Sequence, residues 1–164
     1  MSTRAFFIQT VTNEQPIFER VLKAINEAKW GYQPDPVTKT GKGIATLIAT
    51  EPGMLARILK GEVLDFGSGV PQEPDLTLAQ MVAMLNQSFE DVKAAAASCS
   101  DQDWEHSDAV LKGGFGEWRD KRGNMAWGFL FDLIHHRGQI STYLRSMGGK
   151  VPSIYGPSGD STPT

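Results

Sequence analysis

The 164-residue chain has one cysteine, no long apolar run and no concentration of basic residues, and each shortage excludes a class of protein. Cys99 has no second cysteine to pair with, so no intrachain disulfide can form, which favours a reducing cytoplasm. No apolar run approaches the ~20 residues of a membrane-spanning helix, so we expect no membrane contact. Lysine and arginine never occur in runs longer than two, and the net charge is −3, which argues against nucleic-acid binding.

Apolar residues recur at helical spacing in four stretches, and no stretch shows a convincing strand pattern. The spacing predicts helices over about 14–30, 41–60, 77–98 and 124–147. Asn13 is the predicted N-cap of the first helix, with Pro16 in its first turn. Thr77 and Gln80 fit a capping box at the start of the third helix. The apolar stripe of the second helix keeps its phase across Pro52, which predicts a kink rather than a break.

The connecting segments are long and rich in glycine, proline and polar residues. One loop is predicted over 61–74, and the connection over 101–123 is long for a compact domain. A small hairpin is predicted across Lys112–Gly114, pairing Ala109–Leu111 with Phe115–Trp118. The tail Val151–Ser158 is too rich in proline and glycine for a helix, but we expect it to pack with Ile154 and Tyr155 buried. The sequence therefore predicts one all-α domain over 1–164, a four-helix bundle with long inter-helix loops and an extended C-terminal tail.

Two of the three histidines lie in the fourth predicted helix, where Asp132 precedes His136 by four residues. Side chains at i and i+4 share a helix face, with Cβ atoms roughly 5–6 Å apart. A carboxylate and an imidazole on one face either hold a divalent metal ion or hydrogen-bond each other inside the bundle. Gln139 and Tyr143 follow on the same face and are candidate pocket residues.

The neighbouring residues of this helix have structural interpretations. His135 points about 100° away from His136 and is predicted to be a buried hydrogen-bonding residue near the tail. Arg137 is charged within an apolar helix, so we expect it to pair with a carboxylate or with tail carbonyls. In the long connection, Trp104 and Trp118 either cover a small core or form the walls of a pocket mouth.

The C-terminal third of the chain resembles a known family. The segment Ile134–Arg145 reads Ile-His-His-Arg-Gly-Gln-Ile-Ser-Thr-Tyr-Leu-Arg, and the tail Val151–Ser158 reads Val-Pro-Ser-Ile-Tyr-Gly-Pro-Ser. Together they resemble the C-terminal signature of the DinB-like (damage-inducible) family, and the order of the four helices extends the resemblance over nearly the whole chain. The family includes metal-dependent hydrolases and thiol-dependent S-transferases, and its bundles are commonly homodimers.

The resemblance implies a metal site that this chain has altered. The family's site uses one histidine of the second helix and two histidines at i and i+4 of the fourth. His136 matches the later histidine of the pair, whereas Asp132 replaces the earlier one and Leu47 replaces the histidine of the second helix. Leucine cannot bind a metal, but Glu51, one turn beyond Leu47 on the same face, is a substitute third ligand if Pro52 does not displace it.

Two functions follow from these replacements. In the first, the metal site is degenerate, and the protein binds a small molecule or a partner in the bundle cavity that Leu47, Gln139 and Tyr143 would line. In the second, it is a metal-dependent hydrolase or thiol S-transferase that uses Asp132, His136 and the substitute ligand, with Zn²⁺, Ni²⁺ or Mn²⁺ as the ion. The sequence favours the first function and names no substrate. Either protein would be a cytoplasmic homodimer that contacts neither nucleic acid nor membrane.

Overall fold

The computed structural model describes residues 1–67, 74–114 and 116–161. In order along the chain, the helices and strands are α1 (Thr3–Lys23), a short 3₁₀ helix (Glu27–Lys29), α2 (Gly41–Leu59), β1 (Leu64–Asp65), α3 (Leu78–Ser98), α4 (Asp101–His106), β2 (Asp108–Gly113), β3 (Gly116–Lys121) and α5 (Arg122–Tyr143). The four long helices are α1, α2, α3 and α5, and the all-α bundle predicted from the sequence describes them well. Phe115 and residues 68–73, which we assigned to the hairpin and to a loop, lie outside the described residues.

Helix α1 differs most from its prediction. It begins at Thr3 rather than near Glu14, because the Ser2 side chain accepts the hydrogen bond of the Ala5 amide and caps the helix there. Phe7 and Val11 then extend the buried face toward the N-terminus. The assignments of Asn13 as the N-cap and of Pro16 to the first turn were therefore wrong, since both residues lie inside the helix.

The boundaries of α2 and α3 agree with the prediction, and capping explains both starts. Thr40 accepts a hydrogen bond from the amide of Gly43 at the start of α2. At α3, Thr77 and Gln80 form the reciprocal capping box. Pro52 lies within α2, which runs without interruption from Gly41 to Leu59.

A three-stranded sheet lies beside the bundle, with the strand order β1-β2-β3. Strands β2 and β3 form a hairpin where the sequence predicts one, with Leu111 opposite Trp118. The predicted turn was too long, because Lys112 and Gly113 belong to β2 and Gly113 pairs with Gly116. Strand β1 adds to β2 in parallel, with Leu64 opposite Leu111. The sheet contacts α2 and α5, and β3 leads directly into α5. This arrangement places the hairpin next to the helix that carries both central histidines.

The bundle core forms where α2 packs against α3 and α5, and where α1 packs against the same two helices. Its largest fully buried side chains include Phe7, Phe18, Phe89 and Trp104. Trp104 donates from Nε1 to Thr3 Oγ1 at 3.0 Å, so it covers the core rather than a pocket mouth. No helix within the described ranges is long and apolar enough to cross a membrane.

The C-terminal tail is fastened to the bundle by a buried ion pair. Arg137, 2% exposed, donates to the carboxylate of Glu14 in α1 and to the hydroxyl of Tyr155 in the tail. Its guanidinium also lies over the ring of Phe18, 4.5 Å from the centroid. The expectation that Tyr155 would be buried was wrong: its side chain is 69% exposed and only the hydroxyl reaches the ion pair, while Ile154 is half-buried.

Candidate metal centre and adjoining pocket

Three potential metal ligands from two helices converge at one point. On α5, His136 Nε2 lies 3.4 Å from Asp132 Oδ2, as their i, i+4 spacing requires. Glu51 of α2 approaches from the facing helix, and its Oε1 lies 4.0 Å from His136 Nε2. One ligand atom from each residue lies within 4.8 Å of the other two. The side chain of Glu51 therefore reaches this point even though Pro52 follows it in the helix.

Glu51 is in an unusual environment for a carboxylate. The residue is 8% exposed, and its Oε2 atom has no hydrogen-bond partner among the described residues. The pKa of the Glu51 carboxyl is raised from 4.5 to about 8. Burial is the largest cause, the negative charge of Asp132 adds to it, and the positive charge of Lys39 opposes both. A buried oxygen without a partner and a carboxylate that resists ionisation both indicate a missing positive charge at this point.

A hydrogen bond on the far side of the ring orients His136. Its Nδ1 lies 2.8 Å from Gln139 Oε1, one turn further along α5. Because an amide oxygen only accepts, this contact assigns a proton to Nδ1, and Nε2 is the ring nitrogen that faces Glu51 and Asp132. This is the arrangement that metal-binding histidines require, with the second ring nitrogen held by a neighbouring acceptor.

The donor set suits a divalent cation. Two carboxylates and one imidazole are ligands that Zn²⁺ and Mn²⁺ accept, at roughly 2.0–2.2 Å from the ion in the case of Zn²⁺. Donors at that distance stand roughly 3–4 Å apart around an ion, close to the separations found here. The three ligands are open to solvent on the side of Asp132. The Asp132 side chain is 56% exposed, whereas the side chains of His136 and Glu51 are 16% and 11% exposed. The residues fit a metal ion that is reached from one side.

A pocket of about 430 Å³ opens beside these ligands. Its walls come from α2, α5 and the sheet: Glu51, Met54, Phe66, Leu111, Trp118, Gly128, Phe129 and Asp132. Glu51 and Asp132 are thus both metal-ligand candidates and part of the pocket wall. The cavity lies between the bundle and the hairpin rather than inside the bundle.

The structure places the other predicted residues as follows. Leu47, Gln139 and Tyr143 do not line this pocket. Leu47 is half-buried on α2, and Tyr143 packs edge-on against Tyr32 with ring centroids 5.5 Å apart. Gln139 belongs to the site through its hydrogen bond to His136 rather than through the pocket wall.

His135 and Arg137 flank His136 in the sequence and differ in burial. The expectation that His135 would be buried was wrong, because it is exposed, with its ring 5.5 Å from that of His136. Arg137 is buried, and the carboxylate that the sequence left unnamed is Glu14. Neither side chain joins the group of ligands formed by Glu51, Asp132 and His136.

Sequence reasoning missed most of the apolar pocket wall. Phe66, Leu111 and Phe129 lie far apart in the chain and meet only because β1 pairs with β2 beside α5. Trp118 was considered for a pocket mouth, and it does line the pocket. The predicted hairpin was a partial signal, since it brought the segment of Trp118 near that of Leu111, but the register that pairs these two residues is seen only in the structure.

Comparisons with known proteins agree with this fold. A model described as "DinB family" matches residues 1–162. The structure is similar to a DinB-like protein from Bacillus cereus, with a TM-score of 0.70, 17% identity, and coverage of 91% of this chain and 95% of that one. It is also similar to a DinB-like protein from Bacillus subtilis, with a TM-score of 0.65, 14% identity, and coverage of 87% and 92%.

A third similar structure is a mycothiol-dependent maleylpyruvate isomerase, with a TM-score of 0.58 and 12% identity. The match covers 91% of this chain but 62% of the isomerase, so the chain spans less than two thirds of that protein. No curated protein matches the chain significantly. At these identities the structural matches establish the shared fold alone.

Proposed function

The chain belongs to the DinB family, and from that premise we propose that it is a metal-dependent enzyme acting on a small molecule bound in the pocket beside Glu51, Asp132 and His136. The observation that carries the proposal is the position of Glu51. It supplies from α2 the third ligand that Leu47 cannot supply, and its buried Oε2 has no other partner among the described residues. Three protein ligands with one open side are the usual composition of a catalytic zinc site.

Each of the three residues has a distinct part in this proposal. His136 presents Nε2 because Gln139 holds the opposite nitrogen. Glu51 would lose its proton on binding a cation, because a nearby positive charge would offset the effect of burial on the charged carboxylate. Asp132, the exposed member, stays accessible to both solvent and pocket. A divalent ion held by these three residues would polarise an oxygen or sulfur atom of the bound molecule and make it more acidic.

In this proposal the nucleophile comes from outside the pocket wall, because the two carboxylates of the wall, Glu51 and Asp132, act as metal ligands. Among the described residues that line the pocket, none carries a hydroxyl, a thiol or an amine. Water or a thiol co-substrate is then the source of the nucleophile, and this is why the proposal covers hydrolysis and thiol transfer. The name of the isomerase with the similar fold specifies a thiol cofactor for that protein. For this chain, the choice between water and a thiol is part of the proposal.

A second candidate function is binding of a small molecule without metal chemistry. It is favoured by Leu47, which stands where the resemblance implies a histidine, and by the pKa of Glu51, which keeps that carboxyl largely neutral at pH 7. A neutral carboxyl can donate one hydrogen bond to a ligand in the pocket. This function predicts a protein that binds ligands equally well with and without divalent ions.

Isothermal titration of untagged, EDTA-treated protein with ZnCl₂, MnCl₂ and NiCl₂ separates the two functions. We expect one ion per chain for the native protein and at least a tenfold weaker affinity for His136→Ala. The matched control is His135→Ala, an adjacent exposed histidine outside the group of ligands, which should bind as the native protein does. A native protein that binds no ion, or equal binding by His136→Ala, would refute the metal-dependent function.

A further inference from the structure

The pocket beside the ligand group has a charge pattern that selects among small molecules. We propose that it takes an uncharged molecule with a planar apolar ring, packed against Trp118, and with a polar hydrogen-bonding atom directed at Glu51 and Asp132. Trp118 is then the residue that sets specificity for the ring. This inference rests on the proposed function only for the chemistry at the polar atom, because the ring is held by residues that are not metal ligands.

The charges around the pocket disfavour an anionic ligand. The wall includes two carboxyl groups, Glu51 and Asp132, and no lysine or arginine among its described residues. The charge of Lys39 acts on Glu51, but Lys39 lies outside the wall. In the metal-free protein, a ligand with a carboxylate or phosphate would enter next to Asp132 with no lysine or arginine among the described residues of the wall to neutralise it. A divalent ion held by Glu51, Asp132 and His136 would already be balanced by the two carboxylates. A hydroxyl or amide of a neutral ligand would instead find an acceptor there.

The remaining wall suits a flat apolar body. Met54, Phe66, Leu111, Trp118 and Phe129 provide apolar surface on several sides of the cavity. A volume of about 430 Å³ lies within the range of roughly 300–1,000 Å³ that is typical of small-molecule pockets. Apolar walls with a few polar groups at one end fix both the affinity and the orientation of a ligand.

Trp118 is held in a fixed position at this wall. Its ring stacks on Phe129 with centroids 5.7 Å apart and an interplanar angle of 9°. Gly128, the preceding residue of α5, leaves room for the same ring, since a Cβ atom added there would lie 2.8 Å from Cη2 and 2.9 Å from Cζ2. The indole therefore lies directly on the helix backbone, and it is still 36% exposed. A preorganised aromatic surface of this kind costs a ligand little conformational entropy.

A substitution at Gly128 can displace the Trp118 ring without changing any of the candidate metal ligands. Gly128→Ala must displace the indole ring, because the new methyl group would overlap it. Gly138→Ala makes the same substitution in the same helix, at an exposed position where an added Cβ meets nothing within 4 Å. The pair separates an effect on the pocket from the general effect of replacing glycine in α5.

Titration calorimetry of EDTA-treated protein with 2-naphthalenemethanol and with 2-naphthoate tests the inference. The two probes share a ring system and differ in charge. We expect the alcohol to bind at least tenfold more tightly than the carboxylate. Trp118→Ala and Gly128→Ala should each weaken binding of the alcohol at least fivefold, while Trp118→Phe keeps most of it and Gly138→Ala leaves it unchanged.

Three results would overturn the inference: binding of neither probe, a preference for 2-naphthoate, or equal binding of the alcohol by the native protein and Gly128→Ala. The last comparison remains valid if Trp118→Ala does not fold. Because these titrations use metal-free protein, they succeed or fail independently of the metal titration. Repeating them after addition of ZnCl₂ then shows whether the ion alters the affinity for the alcohol, which the proposed function requires.

Discussion

Replacing Glu51 with glutamine should change how the stability of the metal-free protein depends on pH. The pKa of Glu51 is raised to about 8 in the folded protein, from 4.5 for an unperturbed carboxyl. Below pH 4.5 the group is neutral in both the folded and the unfolded chain, so it costs nothing. As the pH rises toward 8, only the unfolded chain releases the proton, and the folded protein progressively loses stability. The full loss corresponds to roughly 4–5 kcal/mol as an upper limit.

Glutamine has nearly the same shape and never ionises, so Glu51→Gln should lack this loss. Urea unfolding in EDTA at pH 5, 6, 7 and 8 measures the difference in unfolding free energy between the two proteins, in which the contributions of most other groups cancel. We expect the variant to gain stability relative to the native protein by a few kcal/mol between pH 5 and pH 8. A difference that does not vary with pH would show that Glu51 ionises normally and would refute the reasoning.

Asp132→Asn provides the internal control for this experiment. The charge of Asp132 is the second cause of the raised pKa, after burial. Its removal should lower the pKa of Glu51 in part and so reduce the dependence of stability on pH without abolishing it. If Asp132→Asn removed the whole effect, repulsion between the carboxylates rather than burial would be its main cause.

Three further changes have defined outcomes. Gln139→Ala removes the acceptor that orients His136 and should weaken Zn²⁺ binding by roughly 10–100-fold in titration calorimetry, whereas unchanged affinity would mean that the hydrogen bond is dispensable. Leu47→His restores the residue that the family resemblance implies and should raise Zn²⁺ or Ni²⁺ affinity at least tenfold, which corresponds to about 1.4 kcal/mol; no gain would mean that position 47 does not face the site. Arg137→Met leaves the buried Glu14 carboxylate without its cation, with the Tyr155 hydroxyl as its remaining partner in this cluster, and should cost about 3–5 kcal/mol in urea unfolding; Glu14→Leu in the same chain should recover much of the loss.

The sequence predicted the parts of the fold that local signals specify. The start of α3 was readable because Thr77 and Gln80 form a capping box through hydrogen bonds within three residues. The hairpin was readable because a glycine-rich turn separates two short apolar segments. The start of α1 was predicted wrongly. Pro16 was interpreted as a first-turn proline, so the predicted start lay near Glu14, in the middle of the longer helix that forms.

The candidate site was predictable only within one helix. Asp132 and His136 share a face because helical geometry fixes their spacing, and no tertiary information is needed. The approach of Glu51 depends on how α2 packs against α5, so the sequence could offer it only as a substitute ligand. The contact of Trp118 with Gly128 depends on where the hairpin meets α5, which no local pattern encodes. The prediction that Tyr155 is buried was wrong for a related reason. Its hydroxyl makes the tertiary contact, with Glu14, while most of the side chain remains exposed.

The hairpin has a consequence for how this protein can diversify. The candidate metal ligands are carried by α2 and α5, whereas Leu111 and Trp118 belong to β2 and β3. Substitutions in the hairpin can therefore reshape the pocket while leaving all three ligands in place. Exchanging residues 108–121 between related bundles would replace the part of the pocket wall that Leu111 and Trp118 form and leave the part formed by α2 and α5 unchanged.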